Sequence, residues 1–298
     1  EVRGVPQGAL FGPGPVAETF PEPLSRLETD LWVPPLDAAV REALAIAGAH
    51  RREDLDGRDL VVAVDGWVAI DLDATGESSR DPSLAERLSP MKRLRRLRSA
   101  WRVGRLKAAL PHLVDQLIDR VDDDLTALPT LEDLSSRQLV ALIERARDAL
   151  RSVHAHEILM GLLSEPGRTE FTGASVALRV LAESRRDGLT DRQIIARSPV
   201  VLALAPPRVA PIPRLPEETA DPDVADVPAL PDTQVRRETL RLRVRWLQEL
   251  TAQAAWNLGE RLADARLLAE PALVRHLDLA DLEALVARRV ALVGANLD

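Results

Sequence analysis

The chain has 298 residues, 46% of them hydrophobic and 29% charged, which is enough apolar mass for one large domain or two small ones. Acidic residues outnumber basic ones by 47 to 39, giving a net charge of −8, so the field of the whole molecule favours neither nucleic acid nor anionic lipid. The absence of cysteine excludes disulfides, thiolate catalysis and thiolate metal sites, and the longest apolar run, Val200 to Ala205, is too short to span a bilayer, so a cytoplasmic location without membrane partners is expected.

The stretch from Val16 to Leu27 carries Pro21 and Pro23, which lack amide donors and push the preceding residues toward extended conformations, so it is predicted to be a shaped loop. Glu18, Phe20 and Trp32 are expected to project from it, either as a site element or as an arm covering the core. Leu36 to Ala47 carries Val40, Leu44 and Ala47 at helical spacing and stops at Gly48, a usual C-terminal glycine. Asp65-Gly66 between Leu60–Val64 and Trp67–Ile70 is a strong hairpin signal. From Ser83 to about Leu128 the pattern is helical, with an interruption or kink expected at Pro111. Ser135-x-x-Gln138 and Thr190-x-x-Gln193 are capping boxes, so helices are predicted to start there.

Residues 199–231 hold nine of the chain's 22 prolines with almost no periodicity, which predicts an exposed linker or a mobile loop. Beyond it Leu240, Val244, Leu247, Leu250, Ala254, Leu258 and Leu262 make one apolar stripe on a helix of about 30 residues. The fold class is therefore mainly α, a helical bundle-like domain with a small β-hairpin and a long C-terminal helix. The organisation expected is 1–198 as loop, hairpin and helical domain, 199–231 as linker or mobile loop, and 232–298 as a helix packing back on the first part.

Few residues suggest chemistry by their spacing. His154-x-His156-Glu157 resembles a metal half-site, but on a helix residues two apart face nearly opposite ways and two ligands are too few, so no metal site is expected. Met91 to Lys107 is the most basic helix, and a solvated face with internal ion pairs is the plain reading; Arg95, Arg98 and Arg102 are its candidates for a docking surface. Leu159, Met160, Leu162, Leu163 and Phe171 could line an apolar cavity between helices or simply form core. No Gly-rich phosphate loop with a Lys, and no Ser, His and Asp nucleophile system, stands out.

The run Val16-Ala17-Glu18-Thr19-Phe20-Pro21-Glu22-Pro23-Leu24-Ser25-Arg26-Leu27 is similar to the segment that opens the central domain of phosphoenolpyruvate-synthase-like proteins, especially rifampicin phosphotransferases. The match is at Val16, Glu18, Pro21, Ser25 and Leu27, with Ala17 for a glycine; Pro15 and Arg26 depart from the family's Asn and Pro. Near the other end, Leu273 to Leu282 resembles the family's Asp-Val-Phe-Phe-Leu-Thr-x-x-Glu-Leu, with Arg275 and His276 in place of the aromatic pair. Together the two motifs bracket nearly the whole chain in the family's order.

The resemblance implies the central, acceptor-binding domain of a multidomain ATP-dependent phosphotransferase, in which a phosphohistidine on a swivelling domain delivers its phosphoryl group to a bound hydroxylated acceptor. It implies ATP and Mg for the parent enzyme, with the ATP-binding and phosphohistidine domains of the same polypeptide as partners. No histidine here follows a Ser or Thr as the family's phosphohistidine does, so this segment is expected to need no cofactor, to hold no catalytic residue and to be cut from a longer protein. Glu18, Phe20 and Trp32 are the expected pocket wall, Glu18 accepting a hydrogen bond from the acceptor hydroxyl. The alternative is a non-catalytic helical scaffold or protein-interaction module derived from that family.

Overall fold

A two-residue strand β1 (Phe11–Gly12) and a single turn α1 (Val16–Thr19) lead into α2 (Arg26–Ala47) in the computed structural model, which describes residues 10–14, 16–50, 52–75, 90–163, 173–217 and 231–295. Ser25 starts α2 with a capping box, its amide donating to Glu28 Oε2 at 2.7 Å while its hydroxyl accepts from the Glu28 amide. The helix starts ahead of Leu36, where the periodicity alone places it, and runs through Pro34 and Pro35, while residues 20–25 stay out of helix as the predicted loop requires. Each proline removes an intrahelical bond, an effect of about 3 kcal/mol. Burial of Leu27, Leu31, Trp32 and Leu36, at about 1.5–3 kcal/mol each, outweighs it. Gly48 ends the helix in the left-handed region at φ 72°, as its position predicts.

After a turn of helix, α3 (Arg52–Leu55), the hairpin forms where Asp65-Gly66 places it, with β2 (Val61–Val64) antiparallel to β3 (Trp67–Asp71). Both turn residues have positive φ, 52° and 83°. Gly66 is required twice over, since a Cβ there would lie 2.5 Å from the Leu24 carbonyl oxygen. Strand β1 pairs with the other edge of β3, making a three-stranded sheet in the order β1-β3-β2. Asp37 of α2 clamps this sheet by accepting from the amides of Leu60 at 2.6 Å and Val61 at 3.0 Å. Buried Asp71 pairs with Arg58 and caps the short α4 (Leu72–Thr75) through the Ala74 amide at 2.9 Å.

The remaining chain is helical: α5 (Pro90–Thr126), α6 (Ser136–Leu163), α7 (Gly173–Arg186), α8 (Asp191–Arg197), α9 (Asp232–Asp264) and α10 (Leu279–Ala295), with 3₁₀ turns at Leu131–Asp133, Pro199–Leu204 and Pro271–His276. Pro111 lies inside α5 without ending it, because Leu110, Val114, Leu117 and Val121 bury one stripe on both sides of it. Both predicted capping boxes are made, with the Ser135 amide 2.8 Å from Gln138 Oε1 and the Thr190 amide 2.9 Å from Gln193 Oε1. The most extensive packing joins α6 to α9 and α2 to α6, so these three helices form the centre of the core. On α9, 33 residues long, Leu240, Leu258 and Leu262 are fully buried, and Gly259 lets the Pro271 carbonyl come within 2.8 Å of where a Cβ would stand.

The Pro-rich stretch is not a free linker over its described part. Val201, Leu202, Ala205, Val209 and Leu215 are buried, and Leu181 and Ile194 join Val201, Ala205 and Leu215 in a second small core. Three side chains of α9 pin this strap: Arg245 Nε donates to the Ala205 carbonyl at 2.9 Å, Trp246 Nε1 to that of Pro199 at 3.1 Å and Gln253 Nε2 to that of Ala210 at 3.1 Å. Residues 218–230 lie outside the described residues. Among the described residues no helix is long and apolar enough to cross a membrane.

Candidate functional site

A cavity of about 590 Å³ opens between α1, α2, α6, α7, the strap and α9. Its apolar wall is built by Leu36, Val40 and Leu44 of α2, Ile158 of α6 and Val244 of α9, because the helical spacing that buries these stripes also turns them toward one another. Strap residues Ala203 to Pro207 close one side.

The polar wall comes mainly from α9. Arg237, Arg241, Arg245 and Gln248 follow one another at intervals of four, four and three residues, which puts them on one face. Glu157 of α6 accepts from Arg237 Nε at 3.2 Å and Arg241 Nε at 3.0 Å. Glu238 accepts from Arg241 Nη1 at 3.5 Å and from the Gly173 amide at the start of α7 at 3.1 Å. Burial pulls the Arg241 pKa down, but the charges of Glu157, Glu238 and Glu18 outweigh it and leave the guanidinium more basic than usual. Three carboxylates, Glu18, Glu157 and Glu238, therefore face three guanidiniums, Arg237, Arg241 and Arg245.

Deeper in, Arg245 is 7% exposed and Gln248 fully buried. Arg245 donates to the Ala205 and Pro206 carbonyls and, through Nη2, to Glu249 Oε2 at 3.2 Å. Its Nη1, and both polar atoms of the Gln248 carboxamide, have no hydrogen-bond partner among the described residues. Burial lowers the basicity of Arg245, and the Glu249 charge partly restores it. His154 also lines the cavity; burial depresses its pKa to about 4 against the opposing pull of Glu157, so it is a neutral imidazole near pH 7. The arrangement can hold an apolar molecule, fix its polar end and offer it a hydrogen-bond acceptor at the neutral His154.

Of the residues expected at a pocket wall, only Glu18 is there. Its side chain is 75% exposed and its Oε2 lies 3.7 Å from Arg241 Nη2. Phe20 and Trp32 are core instead, stacked with ring centroids 6.1 Å apart, and the Trp32 indole donates to Thr251 Oγ1 at 3.0 Å. They pack inward because Trp32 sits on the buried face of α2, a helix where a loop is expected. Leu162 lines the cavity, Leu159 and Met160 are core, and Phe171 and the Leu163 side chain lie outside the described residues. Arg95, Arg98 and Arg102 are on α5, and their side chains also lie outside the described residues.

His154 and His156 do not converge: His154 faces the cavity, while His156 Nδ1 is 2.8 Å from the Ser152 carbonyl. Among the described residues no group of three or more His, Asp or Glu could hold a metal ion. The two sequence motifs at the chain's ends meet in space, though away from Gln248. Arg26 pairs with Asp278, Arg275 Nε lies 3.6 Å from Glu28 Oε1, and the Leu279 amide donates to Asp30 Oδ2 at 3.0 Å. The stripe of Arg237, Arg241 and Arg245 is the signal that sequence reasoning missed, since its four-residue period was in plain view on the long helix.

No protein-family model matches this chain, and comparison with curated proteins and with solved structures gives no significant match.

Proposed function

We propose that the chain is a small-molecule-binding domain whose cavity holds an apolar, hydroxylated acceptor for a phosphoryl group delivered by other domains of a cytoplasmic, ATP-dependent phosphotransferase. One observation carries the binding part: a cavity of about 590 Å³, walled by aliphatic side chains and ending at the buried, incompletely bonded Arg245 and Gln248. The phosphotransfer part rests on the resemblance of residues 16–27 and 273–282 to the central domain of phosphoenolpyruvate-synthase-like enzymes.

In this reading the apolar wall excludes water and the α9 face orients the acceptor, which together lower a transfer barrier by several kcal/mol. The neutral His154 offers a ring nitrogen as hydrogen-bond acceptor to the acceptor hydroxyl and helps to orient it for attack. ATP and Mg²⁺ belong to the parent enzyme's other domains. The described residues offer neither a phosphate loop nor a carboxylate cluster for them, so no step within this chain runs through either.

The test is a thermal-shift and calorimetric titration of the 298-residue chain with a panel of apolar hydroxylated compounds that includes rifampicin, repeated with Ala174→Trp, a substitution that fills the cavity from α7. Saturable binding to one compound, lost in that variant, supports the proposal. A scaffold role, favoured by the 55% exposed Trp67 beside Val64 at the hairpin tip, is the better account if no compound binds.

A further inference from the structure

Building on the cavity as the acceptor site, we propose that its ligand is an uncharged apolar molecule bearing an amide-type group, a carbonyl acceptor beside an N–H donor, which pairs with the Gln248 carboxamide and shares its carbonyl oxygen with Arg245 Nη1. Gln248 is fully buried, is among the residues that line the cavity and has both its donor and its acceptor unpaired among the described residues; its carboxamide is covered, so the pairing includes a turn of this side chain toward the ligand. A carboxamide satisfied on both edges needs a partner that accepts and donates side by side. A lone hydroxyl reaches one edge, and a carboxylate has nothing to donate to Oε1. An amide does both, and its oxygen has a second lone pair for Arg245, three residues earlier on the same face of α9.

Charge points the same way. The three carboxylates and three guanidiniums of the lining cancel, and Arg245 is already paired with Glu249. A ligand carboxylate would enter a low-dielectric site with no surplus cation to receive it. A neutral group leaves the balance intact while filling the open hydrogen-bonding positions.

Three matched probes separate the possibilities: 1-naphthaleneacetamide, its methyl ester analogue and 1-naphthaleneacetate, titrated calorimetrically into the full chain and into Gln248→Leu and Ala174→Trp. The amide is expected to bind at least tenfold tighter than the ester and the acid. Gln248→Leu should remove that preference while raising the thermal midpoint of the unliganded chain, because it deletes an unpaired buried amide. An acid that binds as tightly as the amide, or a preference that survives in Gln248→Leu, overturns the amide assignment while loss of binding in Ala174→Trp keeps the cavity as the site. If none of the three binds, the amide assignment falls, and the titration with hydroxylated compounds decides the acceptor-site reading separately; binding that persists in Ala174→Trp removes the cavity as the site and both readings with it.

Discussion

Two buried polar clusters, one around Glu28 on α2 and one around Gln248 on α9, show how the same residue chemistry serves structure in one place and a site in another. Glu28 is fully buried, and both of its oxygens are engaged: Oε1 by the Val209 amide at 2.8 Å, Oε2 by the Ser25 amide at 2.7 Å and Arg208 Nη1 at 3.2 Å. It ties the start of α2 to the strap, and a cluster so completely bonded has nothing left for a ligand. Gln248 is equally buried but unbonded, and it borders the cavity. Buried polar groups are nearly always satisfied, and an open one beside a cavity is the observation on which the proposed ligand site rests.

The sharpest way to break this contrast is Glu28→Ala. It leaves the buried Val209 amide without its acceptor and deletes a helix cap, and a loss of about 3–5 kcal/mol is expected in urea unfolding. A loss under about 1 kcal/mol would mean that the cluster is ornamental and the comparison empty.

His154 gives the next largest effect, and the sign follows from its depressed pKa of about 4 against 6.5 unfolded. Between these values the unfolded state binds the extra proton, so stability rises with pH through that window and is lost as pH falls from 6.5 toward 4. The shift corresponds to about 3 kcal/mol. His154→Phe should flatten the stability profile between pH 4 and 6.5, and a profile of unchanged slope would show that this imidazole is not buried neutral.

Gln248→Leu should act opposite to Glu28→Ala, stabilising the chain by about 1–3 kcal/mol because an unpaired buried amide is removed. Destabilisation by that amount would mean that the carboxamide is bonded after all. Glu18→Gln is the smallest expected change, within about 0.5 kcal/mol for an exposed carboxylate. In the proposed parent phosphotransferase, an unchanged transfer rate for Glu18→Gln would remove it as the hydroxyl's hydrogen-bond acceptor.

Local signals in the sequence carried the fold wherever a backbone group needed a particular residue. Asp65-Gly66 gave the hairpin, Gly48 the end of α2, and the boxes at Ser135 and Thr190 two helix starts. Ser25-x-x-Glu28 is the same box, masked by Pro34 and Pro35, whose helix-breaking tendency loses to the burial of Leu27, Leu31 and Trp32, while Pro21 and Pro23 keep residues 20–25 out of helix as expected. The site was less legible. Glutamine on a helix reads as solvated surface, and only the tertiary packing around α9 buries Gln248. Trp32 misled for the complementary reason, since its indole partner Thr251 lies 219 residues on.

The strap's prolines have a consequence for hydration. Pro206 and Pro207 border the cavity and have no amide hydrogens, while the Ala205 and Pro206 carbonyls are taken by Arg245. That side of the chamber offers water few places to hold on. A molecule sliding against it strips almost no bound solvent from the backbone, so the energetic difference between one guest and another is decided by the side chains of α9 rather than by the strap.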